Sequence, residues 1–262
     1  MKPSTESVRR RLPGLRRDEG YTLHPFDQRY GVRTSGLVAG RDLKSGQSSD
    51  RHITAYYGIA PSVLEALVGR WRRSRPQAPP EEFTFLDIGA GMGRAVLLAS
   101  QMEFRQVRGV ELHPTLAAQA RRNLRLWRAA GLERSSARIS CRDAVSMLLP
   151  AGPTLAFLFN PFGAPVLRRL LAAWRKQLLA RPRPLDLIYV NNEQEAVLQS
   201  ARGFRRLFHG KVLRSRADAI ADHRILSAQP DGEYASYNFE DCSIWRWDPD
   251  GWAAGDSRSR RL

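Results

Sequence analysis

Residues 83–100, FTFLDIGAGMGRAVLLAS, decide the fold because an apolar run passes directly into a glycine-rich turn and then into a helical pattern. Gly89, Gly91 and Gly93 occupy this strand-to-helix turn, where only glycine lets a ligand approach the backbone without a Cβ clash. The spacing is G-x-G-x-G, and Arg94 stands where a dinucleotide fingerprint requires its third glycine. No G-K-[ST] follows, so P-loop chemistry is excluded as well.

Three carboxylates lie at the C-terminal ends of successive predicted strands, around this turn. Asp87 lies two residues before the first glycine, where its charge repels a pyrophosphate and attracts an ammonium group. Glu111 ends the next strand, where doubly wound folds place a carboxylate that takes both ribose hydroxyls. Asp143 follows the third strand and is positioned to accept a hydrogen bond from an adenine amino group. S-adenosylmethionine carries an ammonium and no phosphate, so the set predicts a site for that cofactor.

Each of these carboxylates also has a structural interpretation that stays open. Asp87 is a turn former, Glu111 suits a solvated strand end, and Asp143 is a good helix N-cap before AVSMLL. Their shared position at successive strand ends favours the cofactor hypothesis, because ligands of open α/β sheets bind outside the carboxyl ends of the strands.

Beyond the glycine turn, short apolar runs alternate with helical segments, which predicts βαβ units and a parallel sheet. Two longer runs at 203–215 and 237–247 have no helix of comparable length between them, and this pattern predicts an antiparallel pair at the sheet edge. The other predicted strands are 83–88, 106–111, 137–141, 154–159 and 185–190, and the predicted helices fall near 93–103, 114–130, 164–180 and 193–201.

A chain of 262 residues with 42% hydrophobic residues is expected to form one large α/β domain with extensions. We expect a disordered basic arm at 1–20, an N-terminal lid and helix at 21–80, a cofactor-binding domain at 81–248 and a flexible basic tail at 249–262. Residues 21–46 have few apolar runs, so this part of the lid is expected to order only against another element.

The location expected from the sequence is the cytoplasm. No stretch approaches the roughly 18 unbroken apolar residues of a membrane span, and residues 1–20 lack the apolar region of a signal peptide. Cys141 and Cys242 are far apart and belong to no Cys/His cluster, so neither a disulfide framework nor a metal site is predicted.

The formal net charge of +16 raises the question of an acidic partner, because a basic surface attracts phosphate. However, 38 of the 42 basic residues are arginine, and such an imbalance is what a GC-rich coding sequence produces without selection for binding. Nucleic acid therefore remains an open but less favoured partner.

Four stretches together resemble the successive motifs of class I S-adenosylmethionine-dependent methyltransferases, and more narrowly a bacterial group of them. They are FLDIGAGMGRAVLLAS (85–100), VRGVELHPTLAAQARRNL (107–124), CRDAV (141–145) and FLFNPFG (157–163), and the resemblance covers residues 50–247. It implies a Rossmann-like seven-stranded sheet of order 3-2-1-4-5-7-6 with an antiparallel seventh strand. It also implies further cofactor contacts at neighbours of the residues above, namely Ala90, Leu112 and Ala144.

The Asn160-Pro161-Phe162 turn lies where this family holds the methyl acceptor. In amino methyltransferases with a [DN]-P-P-[YF] motif, the Asn or Asp oxygen and a backbone carbonyl accept hydrogen bonds from the target amine, and the aromatic ring stacks on a planar target. This sequence has one proline fewer. Asn160 is equally suited to cap a helix that starts at Pro161, so both interpretations stay open.

Residues 50–58, DRHITAYYG, are the predicted lid over the site. Tyr56 is predicted to contact the cofactor and Tyr57 the acceptor, although a tyrosine pair before a helix is as often simple packing. Residues 189–192 are predicted either to line the acceptor pocket from the other side or to cap the following helix.

The sequence therefore predicts a methyltransferase that uses S-adenosylmethionine and acts on nitrogen of a protein side chain or a small metabolite. Positioning carries most of the barrier reduction in methyl transfer, so the lack of a catalytic histidine does not oppose this reading. The alternatives are an RNA or DNA N-methyltransferase, and a cofactor-binding module without catalysis. No membrane partner is predicted, and the oligomeric state stays open.

Overall fold

A computed structural model describes residues 22–44, 46, 48–228 and 237–250. The predicted basic arm and most of the predicted basic tail lie outside these described residues. Within them, no helix has both the length and the apolar character that crossing a membrane requires.

Seven strands form one sheet, and in chain order they are Thr84–Ile88 (β1), Gln106–Glu111 (β2), Ala137–Cys141 (β3), Thr154–Phe159 (β4), Leu185–Val190 (β5), Phe204–Leu213 (β6) and Phe239–Trp247 (β7). Their order across the sheet is β3-β2-β1-β4-β5-β7-β6. The first five strands pair in parallel, whereas β7 runs antiparallel between β5 and β6. The predicted strand order and the antiparallel seventh strand are confirmed.

Helices cover both faces of the sheet. They are Pro25–Tyr30 (α1), Pro61–Arg73 (α2), Arg94–Ala99 (α3), Pro114–Ala129 (α4), Ala164–Ala180 (α5), Glu195–Gln199 (α6) and Arg216–Ser227 (α7). The bounds of α5 are those predicted, and α4 ends one residue early, whereas α3 and α6 are shorter than predicted.

Alternate residues of the central strands belong to two separate cores, as the two-residue period of a strand requires. Phe85 and Phe157 stack in the core beneath α2, α3 and α4, with ring centroids 5.7 Å apart. Leu86 and Leu158 pack in the other core beneath α5 and α6. Because both faces are covered, these strands read as continuous apolar runs.

The segment predicted to order only against another element packs on the chain's own α4. In α1, the Phe26 and Tyr30 rings lie 5.7 and 4.9 Å from the Trp127 ring, measured between centroids. All three residues come from stretches with no shared local pattern, so the sequence did not reveal this partner.

The prediction of no helix between the last two strands is wrong, since α7 lies there. The Ser215 side chain caps α7 by accepting a hydrogen bond from the Asp218 backbone N–H at 3.1 Å. Asp218 and Asp222 lie on the buried side of α7, and acids at buried positions hide the apolar period that identifies a helix. The Asp218 Oδ2 accepts a hydrogen bond from the Ser62 backbone N–H at 2.9 Å, a contact that only the tertiary structure brings about.

The carboxyl ends of the parallel strands meet at one edge of the sheet. Register pairs Ile88 with Val110 and with Leu158, and Glu111 with Cys141. The loops that follow β1 to β5 therefore converge at one place, which is where the predicted site residues lie.

Candidate functional site

The glycine turn after β1 adopts the left-handed backbone that favours glycine. Gly89, Gly91 and Gly93 have φ angles of 75°, 53° and 90°. A Cβ on Gly89 would lie 2.5 Å from the Pro161 Cβ, and a Cβ on Gly91 would enter the Tyr56 ring. The close approach that these glycines permit is thus made by two of the chain's own side chains, Pro161 and Tyr56. They hold the lid and the Asn160-Pro161-Phe162 turn, called the acceptor turn after its predicted role, against the glycine loop.

Glu111 lies beneath the turn and fixes its shape. Its Oε2 accepts a hydrogen bond from the Gly91 backbone N–H at 2.7 Å, and its Oε1 accepts one from the His113 N–H at 2.8 Å. Burial raises the pKa of the Glu111 carboxyl, and the backbone hydrogen bonds partly offset that rise. Glu111 also lines a cavity at the strand ends, so it is available to a ligand there.

Asp87 is almost fully buried, with 3% of its surface exposed. Among the described residues, no group donates a hydrogen bond to its carboxylate. Burial and the charge of Glu111 raise its pKa well above the ordinary value. A buried carboxylate without donors is costly when ionised, so the position suits a cationic group of a ligand.

Asp143 performs the capping role that the sequence left open, since its Oδ1 accepts a hydrogen bond from the Val145 N–H at 2.9 Å at the start of the short helical turn Ala144–Ser146. It also lines the cavity. The two interpretations are therefore compatible, because a carboxylate has lone pairs for more than one donor.

The cavity beside the glycine turn gathers most of the predicted site residues. Asp87, Ala90, Gly93 and Asn160 are not part of its lining. The predicted residues that do line it are Tyr56, Tyr57, Gly89, Gly91, Glu111, Leu112, Asp143, Ala144, Pro161 and Phe162.

Asn160 does not cap a helix, so that interpretation is wrong. Its φ is +38°, a left-handed conformation, and α5 begins at Ala164 with Gly163 as the N-cap and Pro165 in the first turn. Asn is one of the few residues that tolerate this conformation. The Asn160 Oδ1 accepts a hydrogen bond from the Tyr189 hydroxyl at 3.1 Å, and its carbonyl accepts one from the Thr54 hydroxyl.

The predicted lid is joined to the acceptor turn by backbone contacts. Ile53 forms an antiparallel bridge with Phe162, and the Gly163 N–H donates to the His52 carbonyl at 2.9 Å. This short ladder holds the lid at the edge of the cavity.

The two tyrosines of the lid have different partners. Tyr56 lies over Gly91 and donates its hydroxyl hydrogen bond to the Thr34 carbonyl at 2.7 Å. The Tyr57 hydroxyl donates a hydrogen bond to the Asp222 Oδ1 at 2.5 Å. Tyr57 also lines both the cavity beside the glycine turn and a second cavity.

A second cavity of about 710 Å³ lies on the other side of the lid. Asn160 and Asn191 line it, whereas the role predicted for residues 189–192 beside an acceptor stays a prediction. Tyr189 itself does not line it but orients Asn160.

The sequence reasoning missed two groups that organise the site. Arg94 is 3% exposed and donates to the Thr34 hydroxyl at 2.7 Å and to the Gly58 carbonyl at 3.1 Å, so it ties the N-terminal segment to the glycine loop. The sequence feature that could have pointed to Arg94 is the arginine itself, which stands where a dinucleotide fingerprint requires its third glycine. No local sequence pattern could have pointed to Asp222, because its partner Tyr57 lies 165 residues away in the chain.

No protein-family model matches the sequence, and no curated protein matches it either. Similar solved structures include TrmN from Thermus thermophilus, which is 19% identical with a TM-score of 0.45 over 72% of this chain and 49% of that one. This chain thus spans about half of the TrmN chain. Precorrin-6y C5,15-methyltransferase from Geobacter metallireducens is 18% identical with a TM-score of 0.44 over 70% and 87%. Magnesium protoporphyrin IX methyltransferase from Synechocystis, solved with bound S-adenosylmethionine, is 12% identical with a TM-score of 0.43 over 71% and 78%.

The strand order and the antiparallel seventh strand give this chain the fold of the class I S-adenosylmethionine-dependent methyltransferases. The resemblance of the sequence motifs is confirmed at the level of the fold. This assignment rests on the order and the directions of the strands. The substrates of the similar proteins are properties of those proteins.

Proposed function

We propose that this protein is an S-adenosylmethionine-dependent methyltransferase that transfers the methyl group to nitrogen of a small metabolite or a protein side chain. The fold and the position of the cavity at the carboxyl ends of the strands support a ligand-binding enzyme. The cofactor and the reaction rest on the groups described below.

The observation that carries the proposal is the buried pair of carboxylates beneath the glycine turn. Asp87 has no donor among the described residues, and its pKa is raised by burial and by Glu111. A cation bound above the turn lowers the cost of ionising both acids. A pyrophosphate would raise that cost, so the pair favours a cationic cofactor over a dinucleotide.

The residue types that line the cavity suit such a cofactor. The cavity measures about 90 Å³, less than the roughly 300–1,000 Å³ of ligand pockets, so the Tyr56 ring would have to move off Gly91 when the cofactor binds. Glu111 would accept from the ribose hydroxyls, and Asp143 would accept from the adenine amino group while it keeps its hydrogen bond to the Val145 N–H. Asp87 does not line the cavity, so it would act on the ammonium group through its charge and not by direct contact. When bound, S-adenosylmethionine supplies an electrophilic methyl group on a sulfonium centre.

The role of the chain's own residues in the transfer is to position the acceptor. Asn160 lines the second cavity, and its Oδ1 and carbonyl oxygen each already accept one hydrogen bond, from Tyr189 and from Thr54. Each oxygen retains a second lone pair for an acceptor N–H. The lid residues Ile53, Thr54, Ala55 and Tyr57 line both cavities, so the lid would lie beside both the cofactor and the acceptor.

Calorimetric titration with S-adenosylhomocysteine tests the cofactor site. We expect Asp87→Asn and Glu111→Gln each to weaken binding by about tenfold or more, the scale of a lost charged hydrogen bond. Glu103→Gln, which removes an exposed acid, is the matched control and is expected to bind like the wild type. Wild-type affinity in both cavity variants would refute the site.

The class of acceptor is tested by labelling. Cell lysate is incubated with the protein and a radioactive methyl donor, and is then digested with protease or nuclease. We expect label in small molecules or in protease-sensitive material. Label released only by nuclease would favour the nucleic-acid alternative, and no label with any fraction would favour a binding module.

A further inference from the structure

The second cavity has the size of a metabolite-binding site. Its volume of about 710 Å³ falls within the roughly 300–1,000 Å³ typical of ligand pockets. It shares a wall with the cavity beside the glycine turn, so a ligand in one cavity adjoins a ligand in the other. The residues that line both cavities are Ile53, Thr54, Ala55, Tyr57 and Phe159.

Buried acids stand behind this shared wall. The Tyr57 hydroxyl donates to Asp222, which is fully buried, and Arg214 lies with its Nε 3.1 Å from the Asp222 Oδ2. The same guanidinium forms an ion pair with Glu240, and both Arg214 and Glu240 line the second cavity. Two carboxylates therefore share one guanidinium.

The neighbouring groups leave the cluster with an excess of negative charge. The Asp218 Oδ1 lies 3.5 Å from the His24 Nε2, but burial, assisted by the charge of Arg94, lowers the pKa of His24 to about 4, so this histidine is neutral at pH 7. Burial also raises the pKa of Asp222 and of Glu240 despite the charge of Arg214, so a further cation beside them would lower the cost of ionising these acids.

The other buried arginine nearby, Arg94, offsets this excess only in part, because its charge lowers the pKa of Asp222 but it also faces Asp27. Arg94 lies 4.0 Å from Asp27, whose carboxylate accepts four hydrogen bonds from Thr34 and Ser35. The lining of the second cavity holds two arginines, Arg41 and Arg214, and two glutamates, Glu193 and Glu240, so the buried Asp222 behind Tyr57 gives this wall its excess of acid. It favours a cationic ligand over an anionic one.

We propose that the second cavity binds the methyl acceptor as a primary ammonium group attached to an apolar body. This rests on the proposed function, since it assigns the acceptor of that same site. The ammonium lies against the wall formed by Tyr57 and Glu240, and the aromatic lining contacts the apolar body. That aromatic lining consists of Phe159, Tyr237 and Phe239.

Tyr57 and Asp222 then serve as the proton acceptor that an ammonium substrate requires. The Tyr57 hydroxyl donates to Asp222 and keeps lone pairs for an N–H. One ammonium proton moves to the Tyr57 oxygen while the phenol proton moves to the Asp222 Oδ1. The substrate becomes a neutral amine with a free lone pair, the Asp222 carboxylate becomes a neutral carboxylic acid, and Tyr57 is unchanged.

The test is a titration of the full-length protein with benzylamine, which is an ammonium ion at neutral pH, in parallel with benzyl alcohol and benzoate as probes of matched size. We expect benzylamine to bind about tenfold more tightly than benzyl alcohol, and benzoate to bind most weakly. Benzoate binding as tightly as benzylamine would overturn the proposal.

Two variants locate the effect. Asp222→Asn keeps an oxygen for the Tyr57 hydroxyl, and Tyr57→Phe keeps the ring if the first variant does not fold. Each is expected to weaken benzylamine about tenfold and to leave benzyl alcohol within about twofold. Asp248→Asn, which removes an equal charge outside the cavity, is the control. Wild-type benzylamine affinity in folded Asp222→Asn or Tyr57→Phe protein would overturn the assignment.

The outcomes separate this inference from the proposed function. Titration with S-adenosylhomocysteine reports the cofactor site alone, and benzylamine is titrated both with and without it. Failure of S-adenosylhomocysteine to bind refutes the proposed function, whereas selective loss of the ammonium preference refutes only the acceptor class.

Discussion

At the scale of single residues, the structure gives Gly91 and Asn160 contacts that the sequence did not predict. Gly91 leaves room for the Tyr56 ring, and Asn160 adopts a left-handed conformation instead of capping α5. Both residues therefore hold the lid and the acceptor turn in place, in addition to any contact with a ligand.

The Gly91 contact predicts a specific destabilisation by Gly91→Ala. An alanine there bears the left-handed strain of about 1 kcal/mol and also displaces the Tyr56 ring, which adds about 1–3 kcal/mol. Gly131→Ala is the matched control, because Gly131 has a φ of +68° and nothing within 4 Å of the added Cβ. Urea unfolding measures the difference, and equal losses in both variants would show that the ring moves freely.

Asn160 is predicted to orient the acceptor, and its backbone conformation dictates the variant to use. Asn160→Gly keeps the positive φ without strain and removes both the amide and its contact with Tyr189. We expect S-adenosylhomocysteine affinity to persist while turnover of the acceptor found by labelling falls about 10²-fold, the scale of a misplacement. Turnover within about twofold of the wild type would remove Asn160 from the reaction.

At the scale of elements, α1 is joined to α7 and to the glycine loop through buried polar groups. The His24 Nδ1 accepts a hydrogen bond from the Phe26 N–H at 3.1 Å and so caps α1, while its Nε2 points toward Asp218 of α7. His24 is 2% exposed, and burial lowers its pKa to about 4 from an ordinary 6.5. The folded state thus requires neutral His24.

This lowered pKa predicts a stability loss in acid. Below pH 6.5 the unfolded chain binds a proton that folded His24 refuses, so stability falls as the pH drops from 6.5 through about 4. At pH 4.5 the loss attributable to His24 is about 2–3 kcal/mol. His24→Asn keeps a side-chain cap and does not titrate. Urea unfolding at several pH values is expected to show a smaller acid loss in the variant, and parallel curves would contradict this.

At the scale of the whole molecule, the N-terminal segment forms part of the site. Its lid residues line both cavities, and its backbone and hydroxyl groups accept the hydrogen bonds of buried Arg94. The sheet alone therefore does not complete either cavity.

Two truncations test this dependence. Removing residues 1–20, which lie outside the described residues, is expected to leave S-adenosylhomocysteine affinity and the melting temperature unchanged, because the arm has no apolar pattern for packing. Removing residues 1–60 takes away the hydrogen-bond partners of Arg94 together with the lid residues that line both cavities. We expect the longer truncation to lose cofactor binding, and retained affinity would show that the sheet binds alone.

Much of the fold followed from the sequence because its signals are local. Continuous apolar runs predicted the parallel strands, and the glycine turn with its flanking acids predicted where they converge. The strand order came from the resemblance that these motifs carry. The same motifs named eight of the twenty residues that line the cavity beside the glycine turn, including Glu111 and Asp143.

Tertiary structure alone decided the rest, because those features depend on pairs of residues far apart in the chain. The acids of α7 concealed its apolar period, and their partners lie in the N-terminal segment. The conformation of Asn160 depends on contacts with Tyr189 and Thr54, one of them 106 residues away, so local capping preferences misassigned it. A buried charge gains its stability from distant partners, and no local sequence pattern records which partners those are.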